Sequence, residues 1–403
     1  MNKTIFVLAI AFTLTGSCKE EHKAPPQSQP LIKFINTPAT DSCGEPYLFT
    51  DKNGMVYLSY IEKEEKNYSL KFTTLAGNDW SEPTTIASGE NWFVNWADYP
   101  VIAASGDGNM IAFFLEKSDS GAYTYDAKYV MSADSGHTWS ATQLLNQDAV
   151  KAEHGFVSVI FDNNRYFVSW LDGRHTGSGA TGFHQGHHGD MSLRAAFITR
   201  AGLKEDEMEL DSRVCDCCQT TVARTAEGPL VIYRNRDENE IRDMAIVRLT
   251  KVGWSKPEIV SADMWRIEGC PVNGPRADAI GNNVGVAWFT GANDSGTVRF
   301  AFSDNGGAQF KAPVRMNDKS ALGRVDLLMI NDKSAMVCWM EGATIKAARI
   351  DSEGKRQKSF IIAESSQSRA GGFPQMTRSG KHLLFAWTDT KTRSIRAAST
   401  EIQ

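Results

Sequence analysis

Three cysteines fall within four positions in "RVCDCCQT" (Arg213–Thr220), in a chain of 403 residues that has only seven. Cys215, Cys217 and Cys218 are thiols that can pair, hold a soft metal ion or exchange electrons. Two further stretches carry the same kind of chemistry: "GCPVNGPRA" brings Cys270, and "EHGFVSVIFD" begins with Glu153 and His154. The long polar loop "DGRHTGSGATGFHQGHHGDMS" holds His175, His184, His187 and His188, with Asp172 and Asp190 near its ends. Its glycines allow it to fold back closely over a site, and structureless loops of that length are usually functional or disordered. Next comes "YRNRDENEIRDM", with Tyr233, Arg234, Arg236, Glu240 and Arg242.

Thiolate and imidazole together suit copper or zinc. The spacing matches neither paired C-x-x-C nor H-E-x-x-H, so such a site must be assembled by the fold. Its candidate ligands are Cys215, Cys217, Cys218, Cys270, His154, His187 and His188. Disulfides are the competing reading. The six cysteines beyond Cys18 allow fifteen pairings, among them Cys43–Cys215 and Cys217–Cys270. If "CDCC" is extended, Cys215 and Cys217 point to one side and Cys218 to the other. Cys338, inside "AMVCWME", reads as a small buried hydrophobe.

Compartment bears on this choice. The start, "MNKTIFVLAIAFTLTGSC", has a basic Lys3, an apolar run from Ile5 to Leu14 and then small residues. It reads as an export signal too short to span a bilayer. Thr15, Gly16 and Ser17 before Cys18 resemble a bacterial lipobox, which implies a signal peptide over 1–18 and a lipid on Cys18. The following "KEEHK" resembles the export tag of Bacteroidetes surface lipoproteins. It implies an outer-membrane lipid anchor facing outward, with a periplasm-facing anchor as the alternative. Residues 19–30, polar and proline-rich, read as a tether. The rest is globular in composition, 41% hydrophobic and 23% charged, and a net charge of -5 gives no support for nucleic-acid binding.

Something must bring these scattered residues together. The remainder exceeds the usual single-core size unless it is built of repeats. "WSEP" at Trp80, "WSAT" at Trp139, "WSKP" at Trp254 and "FKAP" at Phe310 each follow a strand-like run. Two of them close a longer frame. Ser132, Asp134, Gly136 and Trp139 fit S-x-D-x-G-x-x-W, and Ser303, Asn305, Gly307 and Phe310 repeat it with Asn and Phe. In such a frame the Asp or Asn caps a turn, glycine takes a backbone angle others avoid, and the ring fills the gap between sheets.

This frame resembles the Asp-box, or BNR repeat, of the sialidase superfamily. The resemblance implies an all-β β-propeller of four-stranded antiparallel blades over 31–403. Inner-strand starts near Cys43, Ala97, Glu153, Cys215, Gly269, Gly323 and Gly371 give seven blades, with six as the alternative. "LIKFIN" (Leu31–Asn36) is expected to supply the last blade's missing outer strand. In a propeller the inner-strand starts open on one face, so the cysteines, the His-rich loop and the Arg/Asp loop are expected to share it, with the Asp-boxes opposite.

A sialidase of this superfamily needs three arginines for a carboxylate, a Tyr–Glu nucleophile and an acid. The resemblance puts forward Arg174, Arg236, Arg242, Tyr233, Glu240 and Asp190. The family's Arg-Ile-Pro motif is replaced by Gly44-Glu45-Pro46, and fold alone does not confer activity. Three functions remain open: a transition-metal or redox site, an exo-sialidase type glycoside hydrolase, and a non-catalytic propeller binding an extracellular glycan, small ligand or protein.

Overall fold

Near-continuous apolar runs make up the second strand of every repeat, and each such strand is buried on both faces and lies between two neighbours of its own sheet. In the computed structural model, residues 29–402 are described apart from 78, 177–188 and 372. The signal sequence with Cys18, most of the tether, and His184, His187 and His188 lie outside the described residues. Seven antiparallel sheets follow one another around a ring. Their first strands are Cys43–Thr50, Ile102–Ala104, His154–Asp162, Thr221–Arg224, Arg276–Ile280, Gly323–Asn331 and Gln375–Ser379. Among the described residues the helical content is a single turn, Ala292–Asp294. No helix among them is long and apolar enough to cross a membrane.

The ring closes as the sequence leads one to expect. Lys33–Ile35 pairs with Ser394–Glu401, so the N-terminal strand becomes the outer strand of the seventh blade. Trp170, Trp288, Trp339 and Trp387, all on second strands, are at most 2% exposed and fill the space between blades. A buried indole needs a partner for its N–H. Trp170 donates to Asp172 at 2.8 Å and Trp288 to Asp263 at 2.8 Å.

Around the channel the inner strands are latched blade to blade by side chains. The Asp98 carboxylate accepts the Phe156 N–H at 2.7 Å, Asp278 accepts that of Met329 at 2.8 Å, and Asp326 that of Met376 at 2.6 Å. These bonds satisfy backbone donors that the ladders leave free at the ring's inner edge.

The two Asp-boxes are superposable in their bonding. Ser132 Oγ donates to Asp134 at 2.8 Å and accepts from Gly136 N, while Asp134 accepts from Thr138 N at 2.9 Å. Ser303, Asn305, Gly307 and Gln309 repeat all three bonds. Gly136 and Gly307 have φ of 86° and 82°, and a Cβ on either would collide with the preceding blade, at Phe72 or Ile246.

Four inner strands, those of the second, fourth, fifth and seventh blades, begin later than the sequence suggests, and at the fourth and fifth the delay takes the cysteines out of the ladder. The "CDCC" segment is a turn, and the ladder starts only at Thr221, opposite Ile232. "GCPVNGP" is likewise a loop before Arg276. Side chains from across the channel mouth hold both segments in place of a ladder. Gln219 donates to Ala97 O at 2.6 Å and accepts from Gly274 N at 2.9 Å.

Candidate functional site

The turn at the mouth of the fourth blade is fixed at its start by the Val214 N–H on Met191 O at 2.9 Å and the Cys215 N–H on Arg234 O at 3.0 Å. Because the chain turns at Asp216–Cys217, it does not follow the extended alternation, and all three thiols gather on one side. Cys215 Sγ lies 4.0 Å from Cys217 Sγ and 3.6 Å from Cys218 Sγ, and the three sulfurs all fall within 4.8 Å of one another. They are 1–3% exposed. Cys270, half-buried on the loop before the fifth blade, lines the same cavity as Cys217.

Two buried guanidinium groups face this cluster. Arg242 Nη1 donates to Cys215 Sγ at 3.3 Å, and its other nitrogen to Glu240 at 2.8 Å. Arg234, 2% exposed, gives its donors to the carbonyls of Arg242, Asn273 and Phe289 and lies over the Trp265 ring at 4.8 Å. Burial raises the Cys215 thiol to about 11. Cys217 is also pushed up, by burial and by the two neighbouring sulfurs. Cys218 goes the other way. Burial opposes its ionisation, but hydrogen bonds from Cys215 and Cys217, the Arg234 charge and the Asn273 N–H outweigh it and hold Cys218 well below the usual thiol range. Negative charge in the cluster is therefore favoured on the Cys218 sulfur and disfavoured on the other two.

Beside it opens a vestibule of about 290 Å³, lined by Phe93, Trp96, Tyr123, Tyr125, Glu153, Cys217, Cys270 and Arg369 among others. Through Ala97 and Phe156 it borders the central channel, a cavity of about 260 Å³ lined by six of the seven inner strands and by Ala97, Asp98, Tyr99 and Val101 just before the remaining one, Ile102–Ala104. In the vestibule wall the Tyr125 hydroxyl donates to Glu153 at 2.8 Å, with Asp98 at 3.2 Å. Burial lifts Glu153 to about 8, with the charges of Asp216, Asp98 and Cys215 adding to it against the Tyr125 hydrogen bond. Burial also lifts Asp98 to about 7, against the Phe156 N–H and Tyr125 hydroxyl bonds. A carboxylic acid that stays protonated near neutral pH can donate a hydrogen bond into the vestibule.

The remaining residues singled out from sequence lie elsewhere or are already engaged. His154, 0% exposed, is held by Asp148 at Nε2 (3.0 Å) and Tyr125 O at Nδ1 (3.2 Å), with Asp172 at 3.6 Å. Arg174 bonds Asp172, Asp148 and Glu207 in that same cluster. Arg236 forks onto Glu240 at 2.8 and 3.0 Å. Tyr233 donates to Asp211 at 2.5 Å, and Asp190 faces Arg213 at 3.5 Å. Arg236 and Arg242 thus meet at Glu240, whereas Arg174 belongs to the His154 cluster. His175, at the start of the His-rich loop, faces Glu209 at 3.4 Å.

Sequence reasoning missed the vestibule group, Tyr125, Asp98, Trp96 and Tyr123, and gave Glu153 no role. One signal was available: Trp96 in "NWADYP" and Glu153 before His154 both stand at inner-strand starts, where a propeller gathers residues.

The BNR repeat-like domain matches residues 64–338. Together with the seven blades, this bears out the sialidase-superfamily resemblance carried by the Asp-boxes. No curated protein gives a match. Among solved structures, a polysaccharide lyase aligns with TM-score 0.53 and 8% identity, covering 94% of each chain. A mutant puromycin hydrolase in complex with PGG aligns with TM-score 0.52 and 12% identity, over 88% of this chain and 52% of that one. The Hadza microbial sialidase aligns with TM-score 0.45 and 12% identity over 75% of this chain, which spans 64% of that sialidase's length. At such identities the likeness is one of fold.

Proposed function

The chain belongs to the BNR repeat-like domain family, and from that premise we propose that it is an exported, Cys18-anchored propeller that binds a soft transition-metal ion, copper(I) foremost, on Cys215, Cys217 and Cys218. The observation that carries this reading is the trio of buried sulfurs within 4.8 Å of one another, with Arg242 bonded to one of them. Soft thiolates select copper(I), and a three-sulfur set suits it better than zinc, which asks for a fourth ligand. Charge supports the same choice. Three thiolates around a monovalent ion leave two negative charges, and Arg234 and Arg242 are two buried cations beside them. In this reading Cys218 enters as the thiolate, Arg242 steadies Cys215, and the vestibule gives access from the open face.

The test is metal analysis of reduced protein, with Cys218→Ser alongside. One copper(I) per chain, lost in the variant, is expected. Reduced protein that takes up no copper while its thiols remain titratable would exclude the reading; tighter zinc than copper would reassign the metal.

A second reading rests on a different observation. Trp96, Tyr123 and Phe93 give the vestibule ring-shaped apolar walls above the hydrogen-bonding Glu153, a combination suited to a sugar ring. Calorimetry with a panel of neutral and acidic glycans tests it. Binding by wild type but not by Trp96→Ala is expected, and no binding across the panel removes it.

A further inference from the structure

Cys270 differs from the other described cysteines in that it alone is not fully buried. It lines the same vestibule as Cys217, on the facing loop, so both thiols border one cavity. We propose that Cys217 and Cys270 are a redox-modification site, forming a reversible disulfide between the loops that enter the fourth and fifth blades.

The geometry favours this pair over the others. Cys215 is engaged by Arg242, and Cys218 by Cys215. Neither Cys215 nor Cys218 lines the vestibule, so an oxidant entering from the open face reaches Cys270 and Cys217 first. A bond between Cys217 and Cys218 would have to span adjacent residues, against the usual Cα separation of roughly 4.4–6.8 Å for a relaxed disulfide. The Cys270 loop can also adjust. It is anchored at Ile267, on Glu240 O, and at Asn273, whose carbonyl accepts from Arg234, leaving Glu268–Val272 between. A Cβ at Gly269 would meet nothing nearer than 3.8 Å.

The oxidant is a low-molecular-weight disulfide or a dithiol oxidase of the exported compartment. The Cys270 thiolate attacks one sulfur of that disulfide and expels the first thiol. The Cys217 thiolate then attacks the Cys270 sulfur of the mixed disulfide and expels the second. Two electrons and the two cysteine protons end on the reagent. The consequence for the metal rests on the function proposed above: once bonded to Cys270, Cys217 no longer offers a thiolate, and metal held by Cys217 blocks the reaction in return.

The experiment treats the metal-free protein with oxidised glutathione and maps its peptides without reduction. Trypsin releases 214–224, carrying Cys215, Cys217 and Cys218, and 267–276, carrying Cys270. A crosslink between these two peptides is expected, absent in both Cys217→Ser and Cys270→Ser. Persistence of the crosslink in Cys217→Ser would overturn the assignment, as would a bond confined to 214–224. The crosslink is read without metal, so it stands or falls apart from the copper reading. If copper does bind, oxidised wild type should lose at least tenfold in affinity while Cys270→Ser treated alike stays unchanged. Equal affinity before and after crosslinking would overturn the coupling alone.

Discussion

Two clusters of metal-ligating side chains lie buried near the open face, one at the fourth blade and one between the second and third. They are built on opposite principles. Asp148, His154 and Asp172 are satisfied by what surrounds them: both imidazole nitrogens are bonded, and Arg174 spans the two carboxylates. Such a cluster works as a latch, because each donor already has its acceptor. The sulfurs of Cys215, Cys217 and Cys218 are partnered largely by one another, and among the described contacts the one side chain outside the trio that donates to them is the Arg242 guanidinium. That arrangement leaves donor capacity for a cation. Similar ligand inventories therefore point to different roles, and the counter-charge tells them apart.

Removing the latch should have the largest effect. His154→Ala leaves two buried carboxylates with one cation and is expected to cost about 3–5 kcal/mol in urea denaturation. The folded fraction should still take up copper. A latch variant of full stability, or one that loses copper while folded, would erase the distinction between the clusters.

On the other side, Arg242→Met removes the cation beside Cys215 while Glu240 keeps Arg236. Copper(I) affinity measured by chelator competition should fall by about ten- to a hundredfold, roughly 1.4–2.7 kcal/mol. An unchanged affinity would remove the guanidinium from the account.

The vestibule acid gives a pH signature. Glu153 binds its proton more tightly folded (about 8) than unfolded, so its contribution is fully present below its unfolded pKa and is lost as pH rises through the folded one. Stability should decline from about pH 5 to 8 by about 3.5 kcal/mol through this group, and Glu153→Gln should remove that part of the slope. A variant with the wild-type slope would contradict the assignment. Asp98, lifted to about 7, slopes the same way and accounts for the remainder.

The smallest effect is expected on the closed face, far from both clusters. Gly136→Ala meets the Phe72 ring and an unfavourable φ, and should cost about 1.5 kcal/mol with no change in copper binding.

What could be read from the sequence follows the same division. The Asp-boxes, the seven second strands and the closing N-terminal strand repeat, and repetition exposes a pattern even in one chain. The convergence of Cys215, Cys217, Cys218 and Cys270 was legible from their position at inner-strand starts. Their orientation was not, because the turn depends on Gln219 reaching Ala97 and Gly274 from other blades. His154 was grouped with the thiols for a similar reason: its true partners, Asp148 and Tyr125, lie in a neighbouring loop and strand. Tyr125 carried no signal, since a single phenol has no period, and Glu153 had only its place at an inner-strand start.

The central claim is that the thiol turn, and not the imidazole latch, holds a soft metal. Its most direct test is the copper(I) content of reduced wild-type protein after dialysis, set beside Cys215→Ser/Cys217→Ser/Cys218→Ser and His154→Ala. One copper per chain in wild type and in folded His154→Ala, with none in the triple serine variant, is the result predicted. Copper retained by the triple variant, or absent from reduced wild type, would contradict it.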